Sequence, residues 1–500
     1  MRKLGALDAN FLYTETEQVP NHVSSVQIFE LPEGRSFDEF IDGLRGYFMS
    51  RVHLVPYLTR KLRFTPGNID HPVWVKDPDF NVDNHLIRVE LPSPGTFAQL
   101  EQKVAEIHAE LMDRSKPLWQ LFVITGLEDG KFAYYNQAHH ACLDGMAGQA
   151  ATMIMMDTTP DHPDVPAEEV QPTEDESVSE LFRLSFENFL NFQIEVPARM
   201  LNSMDSMFRL TRRAFDPGMR SGSVTPGAPK TRFNRSVNKK RTYAGGDMSV
   251  TDLKTMAKAA HCKLNDIFLA ACAGGLRRYM QRTNELPSSS LIAGCPVSLR
   301  KPGDKSMDNQ VTMMSVALAT DIADPRLRLN SIIDSSKSAK EIVADVAVGQ
   351  NPQVSLFGLP ALLTTGTRFF ESTRMADVMP AAMNVVISNV PGPRETLYSN
   401  SAKMLTHYPV SIPTHGMGLN ITATSYVDDL YFAITACAKA APDATALRDD
   451  IAEAYRELKS ILLPAVSNKE TLKPSLVLEE LQPRTVPADV TIEEPETRAA

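Results

Sequence analysis

Two adjacent histidines are followed by an acid and a glycine in His139-His140-Ala141-Cys142-Leu143-Asp144-Gly145, an HHxxxDG pattern. Imidazole titrates closest to neutral pH, so it is the side chain best suited to take a proton from a hydroxyl or amine. Neighbouring side chains on a strand point to opposite faces, so only one of the pair can face a given site. We assign that role to His140, and packing or hydrogen bonding on the far side to His139. Asp144 could orient the ring as the acid of a triad does, or pair with an arginine and hold the loop in shape. Gly145 suits a tight turn or a positive φ. Histidines at i and i+1 do not converge easily on one ion and no third ligand stands at suitable spacing, so no metal site is expected. No GxSxG elbow, Walker loop or GxGxxG fingerprint accompanies the motif. Spacing alone therefore supports a general base in a strand-end loop and leaves the substrate open.

The flanking sequence must hold that loop. Residues 119–126 and 132–138 are rich in aromatic and β-branched residues, and Leu127-Glu128-Asp129-Gly130 between them signals a hairpin whose second strand runs into His139-His140. Helical spacing of apolar residues marks 37–44 and 97–112. Residues 1–160 thus read as mixed α and β. Residues 158–180 are proline-rich and acidic, a composition expected of a linker. An apolar helical stretch over 181–208, interrupted at Pro197, precedes a basic run from Arg209 to Arg241. We read 161–242 as a crossing between two halves. In the second half, 243–463, Asn265–Met280 reads as a buried helix and Met383–Val390, Gly418–Val427 and Leu430–Ala438 as strands. The last two are expected to turn at Asp428-Asp429, with a closing amphipathic helix at Ala444–Leu463. Residues 464–500 are acidic and proline-rich, as a disordered tail would be.

Composition narrows the function. The chain has 500 residues and a net charge of −10, so nucleic acid is not an expected partner. Five scattered cysteines without a CxxC pair signal neither a disulfide framework nor a zinc site. The N-terminus lacks the apolar run of a signal peptide, and no stretch approaches the ~18 apolar residues of a membrane span. A cytoplasmic protein is expected, with peripheral attachment to a membrane or lipid droplet open.

Several ordered blocks add a resemblance. HHxxxDG is shared by chloramphenicol acetyltransferase-like acyltransferases and by condensation domains of peptide synthetases. Leu4-Gly5-Ala6-Leu7-Asp8-Ala9-Asn10-Phe11-Leu12, Asn21-His22-Val23, Pro117-Leu118-Trp119, Asn265-Asp266, Pro296-Val297-Ser298-Leu299-Arg300 and Ser388-Asn389-Val390-Pro391-Gly392-Pro393 together resemble the bacterial wax ester synthase/diacylglycerol acyltransferases over roughly residues 1–463. The opening Gly-Ala-Leu-Asp departs from that family's commoner Ser-Pro-Leu-Asp.

The resemblance implies an α/β fold of two chloramphenicol acetyltransferase-like subdomains. Each would be a mixed sheet with flanking helices, and an active-site tunnel would run between them. It implies transfer of a long-chain acyl group from acyl-CoA to diacylglycerol or a fatty alcohol, with no cofactor beyond acyl-CoA as co-substrate. His140 would be the base and no covalent acyl-enzyme would form. Asn265 becomes a candidate oxyanion donor, its competing role being the N-cap of the helix it opens. Asp144 takes a structural role with Arg300 as an ion-pair partner. Trp119 could line the tunnel or be plain core, and Gly145 and Asp266 join Trp119 and Arg300 as candidates on the substrate side. The stretch from 181 and the basic residues after it could rest on an anionic lipid surface. An amide-forming condensation enzyme and a catalytically silent lipid-binding scaffold are the competing readings.

Overall fold

The computed structural model describes residues 2–161, 227–300, 309–347 and 359–463, with Val165 and positions 180, 182, 183, 185–187 and 190. Most of the expected linker, Pro197, the basic run up to 226 and the whole acidic tail lie outside the described residues.

The chain opens with β1 (Arg2–Lys3), α1 (Ala6–Thr14) and β2 (His22–Glu30), followed by α2 (Phe37–Met49), β3 (Arg60–Arg63), β4 (Val73–Lys76) and β5 (Leu86–Glu90). After α3 (Phe97–Ile107), β6 (Trp119–Thr125) and β7 (Phe132–His139) form the expected antiparallel hairpin, and α4 (Gly145–Met155) follows the histidine loop. Asp129 and Gly130 sit at φ 61° and 67° in the hairpin turn, a left-handed conformation that Asp and Gly tolerate. Ser36 and Thr96 open α2 and α3 with capping boxes closed by Glu39 and Gln99.

The second half contains β8 (Arg241–Ser249), α5 (Val250–Ala259), α6 (Leu264–Arg282), β9 (Ile292–Ser298), β10 (Val311–Ala317), α7 (Pro325–Ala347) and α8 (Leu359–Ser372). It continues with β11 (Val385–Val390), β12 (Tyr398–Ser399), β13 (Ala402–Val410), β14 (Leu419–Tyr426), β15 (Asp429–Cys437) and α9 (Ala444–Leu462). The β14–β15 turn is Val427-Asp428 rather than Asp428-Asp429, because Tyr426 pairs with Asp429.

Two six-stranded mixed sheets carry the architecture, in the orders β12-β13-β2-β7-β6-β5 and β10-β9-β11-β14-β15-β8, beside a small β1-β4-β3 sheet. The first large sheet is completed by β12 and β13, which arrive from late in the chain: His407 pairs with Gln27 and Pro409 with Ser25. One apolar core gathers around Phe29, Phe40, Trp119 and Phe132, and a second around Phe268, Leu276, Phe432 and Ile451. The described residues up to Leu463 pack as one unit.

Candidate active site

A cavity of about 1100 Å³ is lined by facing residues of both large sheets, by α1 and α4, and by α8. His140 lies on its wall, one residue past the end of β7. Its N–H donates to the Asn21 carbonyl at 2.9 Å, and its ring stacks on Phe11 at 3.9 Å with 7° between planes. Its carbonyl accepts from Asn309 Nδ2 at 3.0 Å, and the same amide nitrogen donates to Asp8 Oδ1 at 2.6 Å. Backbone and ring are thus held independently. Nδ1 is sealed from solvent, which leaves Nε2 as the nitrogen able to meet a ligand.

Burial holds the His140 imidazole down at about 4, with His139 adding to the depression and Asp144 opposing it. The ring is therefore neutral at physiological pH, the protonation state a general base needs.

His139 points the other way and is fully buried. Its Nδ1 accepts from the Ala141 N–H at 3.0 Å, and its Nε2 stands 3.2 Å from Glu15 Oε1. Burial pushes the Glu15 carboxyl up, but the bond and charge of His139, with Arg114 and His22, outweigh it and hold the group well below the usual carboxylate range. Arg114 closes this cluster with Nη2 at 2.6 Å from Glu15 Oε2.

Asp144 does not reach His140 as a triad acid. Its Oδ1 accepts from the Ala147 N–H at 2.8 Å and caps α4, while Oδ2 accepts from Arg300 Nη2 at 2.8 Å. Gly145 is absent from the positive-φ residues. Space is tight there, since a Cβ would stand 3.0 Å from Val390 Cγ2. Gly392 answers to a similar demand: a Cβ would stand 2.1 Å from the Ser425 carbonyl oxygen.

Four expected site residues stand elsewhere, among them Arg300, which pairs with Asp144 and does not line the cavity. Trp119 is core, not tunnel wall: its indole N–H donates to the Leu58 carbonyl at 2.8 Å and its ring stacks on His85 at 4.4 Å. Its neighbour Leu118 supports the histidine loop from behind, accepting the His139 N–H at 3.0 Å. Asp266 is buried at the start of α6, where its carboxylate accepts the Lys263 N–H at 3.0 Å. That leaves Lys263, not Asn265, in the N-cap position. Asn265 does not line the cavity; its Oδ1 accepts from Asn389 Nδ2 at 3.3 Å, and Asn389 is the wall residue.

Phe11, Asp8, Asn309, Glu15 and Arg114 were missed as members of the site. Asp8 and Phe11 lie within the opening block quoted above. The others carry no local signal, because their partners are far away in sequence. Burial, then the Asp8 charge, pushes the Cys142 thiol far above the ordinary range, which disfavours the nucleophilic thiolate.

Buried imidazoles also set a pH limit. Burial lowers His22, His140 and His407 to about 4 and His108 to about 3. Each binds more protons unfolded than folded below the ordinary value near 6.5. Stability is therefore complete above that pH and falls as pH drops, by up to ~1.4 kcal/mol per unit for each ring. Melting temperatures measured from pH 7.5 down to 4.5 should decline progressively below 6.5. A flat profile would show that these rings titrate normally in the folded chain.

The chain is similar to known proteins over most of its length. The profile of the wax ester synthase/diacylglycerol acyltransferase catalytic domain matches residues 4–268, and that of the family's C-terminal domain matches 307–459. A Mycobacterium tuberculosis protein named for diacylglycerol O-acyltransferase activity is 32% identical over 459 residues, covering 91% of this chain and 99% of its own. The O-acyltransferase WSD of Acinetobacter baylyi is 33% identical over 452 residues, covering 88% and 93%. The wax ester synthase/diacylglycerol acyltransferase of Marinobacter aquaeolei superposes with a TM-score of 0.64 at 26% identity, over 92% of this chain and 99% of that one. The first condensation domain of the CDA synthetase shares the fold alone, at 13% identity and a TM-score of 0.54. With both family domains matched in order around the HHxxxDG loop, this chain belongs to the wax ester synthase/diacylglycerol acyltransferase family.

Proposed function

We propose that this chain is an acyl-CoA-dependent O-acyltransferase making neutral lipid, with His140 as general base. The observation that carries the reading is a neutral, stacked imidazole on the wall of a cavity large enough for alkyl chains. His140 Nε2 takes the proton from the acceptor hydroxyl as its oxygen attacks the thioester carbonyl. The C–S bond then breaks and the CoA thiolate recovers the proton from the imidazolium. The thioester supplies the activation, so acyl-CoA is the only co-substrate the scheme requires. In this scheme the oxyanion is met by the Asn265–Asn389 amide pair, with Asn389 at the wall and Asn265 orienting it.

Both substrates are lipids, and the surface suits peripheral contact with them. Among the described residues no helix is long and apolar enough to cross a membrane. Leu362 and Phe369 on α8 are 67% and 63% exposed beside the cavity. Such a patch fits a membrane or lipid-droplet surface.

The test is CoA release from palmitoyl-CoA with hexadecanol or a diacylglycerol as acceptor. Acceptor-dependent release with ester product supports the reading. Lipid retention without release supports a scaffold instead.

A further inference from the structure

A tunnel for alkyl chains has little use for hydrogen-bonding groups, yet the middle of this one has them on both walls. On the first sheet Ser25 pairs with Asn136, one same-face step beyond Val23 and Ala138 and on the face that His140 shares. On the second, Ser388 pairs with Thr422 and Val390 with Thr424, while the alternate residues Ile387, Ile421 and Ala423 point into the core. Ser388 stands one same-face step, about 7 Å along the strand, from Val390, which packs against Gly145 of the histidine loop.

The Thr422 hydroxyl is taken by Asn420 Oδ1 at 2.7 Å. The side chains of Ser25, Asn136, Ser388 and Thr424 line the cavity and make no hydrogen bond to another described residue. Thr424 is buried and Ser25, Asn136 and Ser388 are half-buried, so what their polar groups meet is whatever fills the cavity. Polar groups buried against an alkyl chain without a partner are costly.

A fatty alcohol has one polar group, and His140 uses it. A diacylglycerol brings two ester carbonyls within a few bonds of its reacting hydroxyl, and these accept from the Ser, Thr and Asn side chains. We infer that the double row Ser25/Asn136 and Ser388/Thr424 binds the ester groups of the acceptor and makes this enzyme select diacylglycerol over fatty alcohol. The inference rests on the acyltransferase reading above. The pantetheine amides of acyl-CoA are the competing occupant.

The test uses the full chain and the double variant Ser388→Ala/Thr424→Val, with palmitoyl-CoA and either dipalmitoylglycerol or hexadecanol. Loss of two hydrogen bonds should lower the ratio of kcat/KM for diacylglycerol to that for hexadecanol by about tenfold. Asn136→Ala on the opposite wall should move the ratio in the same direction, which guards against a folding defect in the first variant. An unchanged ratio overturns the subsite and leaves the acyltransferase standing. A raised KM for palmitoyl-CoA with both acceptors overturns it too, and assigns the row to pantetheine. No transfer to either acceptor by the wild-type chain would overturn both readings.

Discussion

Alanine at position 140 should cut acyl transfer about a thousandfold, within the range that positioned acid–base groups supply, while the protein stays folded. The fold should survive because the backbone bonds of His140, from Asn21 and to Asn309, do not involve its side chain. The lost ring leaves a gap against Phe11 that opens into an existing cavity rather than a closed core. His139→Ala should show the opposite balance. It strands the Ala141 N–H and removes the Glu15 partner, costing about 1–3 kcal/mol of stability, with a smaller loss of turnover. CoA release and thermal melts on both variants decide the matter. If the His140 variant keeps more than a tenth of wild-type turnover, on the scale of the loss expected of a base, the proton acceptor is elsewhere.

Local chemistry made the centre of the site legible. HHxxxDG lies within seven residues, the strand before it has a recognisable composition, and alternation sorts His139 from His140. The hairpin, α6 and the closing helix were legible for the same reason: their periodicity and turn residues are local. Tertiary partners were not. The Asp8–Asn309–His140 clamp joins residues 301 positions apart, and β13 enters the first sheet by pairing with a strand some 380 residues earlier. Trp119 shows the limit from the other side, since an aromatic residue in a strand fits core and tunnel equally until its neighbours are known. Asp144 illustrates it again: spacing left triad and ion pair open, and only the position of Arg300 separates them.

That separation leads to the second large effect. Asp144→Ala should destabilise the protein by about 1–3 kcal/mol, because it removes the α4 cap and one ion-pair partner of the Arg300 guanidinium, which is 12% exposed. Arg300→Met should cost less. Asp144 then keeps the Ala147 N–H at 2.8 Å and the Gln310 N–H at 3.4 Å, and methionine fills much of the arginine's volume. The double variant should cost less than the sum of the singles, since each single breaks the same pair. Asp144→Asn discriminates further. Its amide oxygen can still cap α4, but its NH₂ group would face the guanidinium donor to donor, so stability should fall even with the cap intact. In denaturant melts the order of stability should be wild type, Arg300→Met, Asp144→Asn, Asp144→Ala. An Asp144→Asn variant as stable as wild type but with turnover lost would restore the triad role. The loss of turnover expected instead is one that follows unfolding, because Asp144 serves His140 by fixing the helix that begins five residues after it.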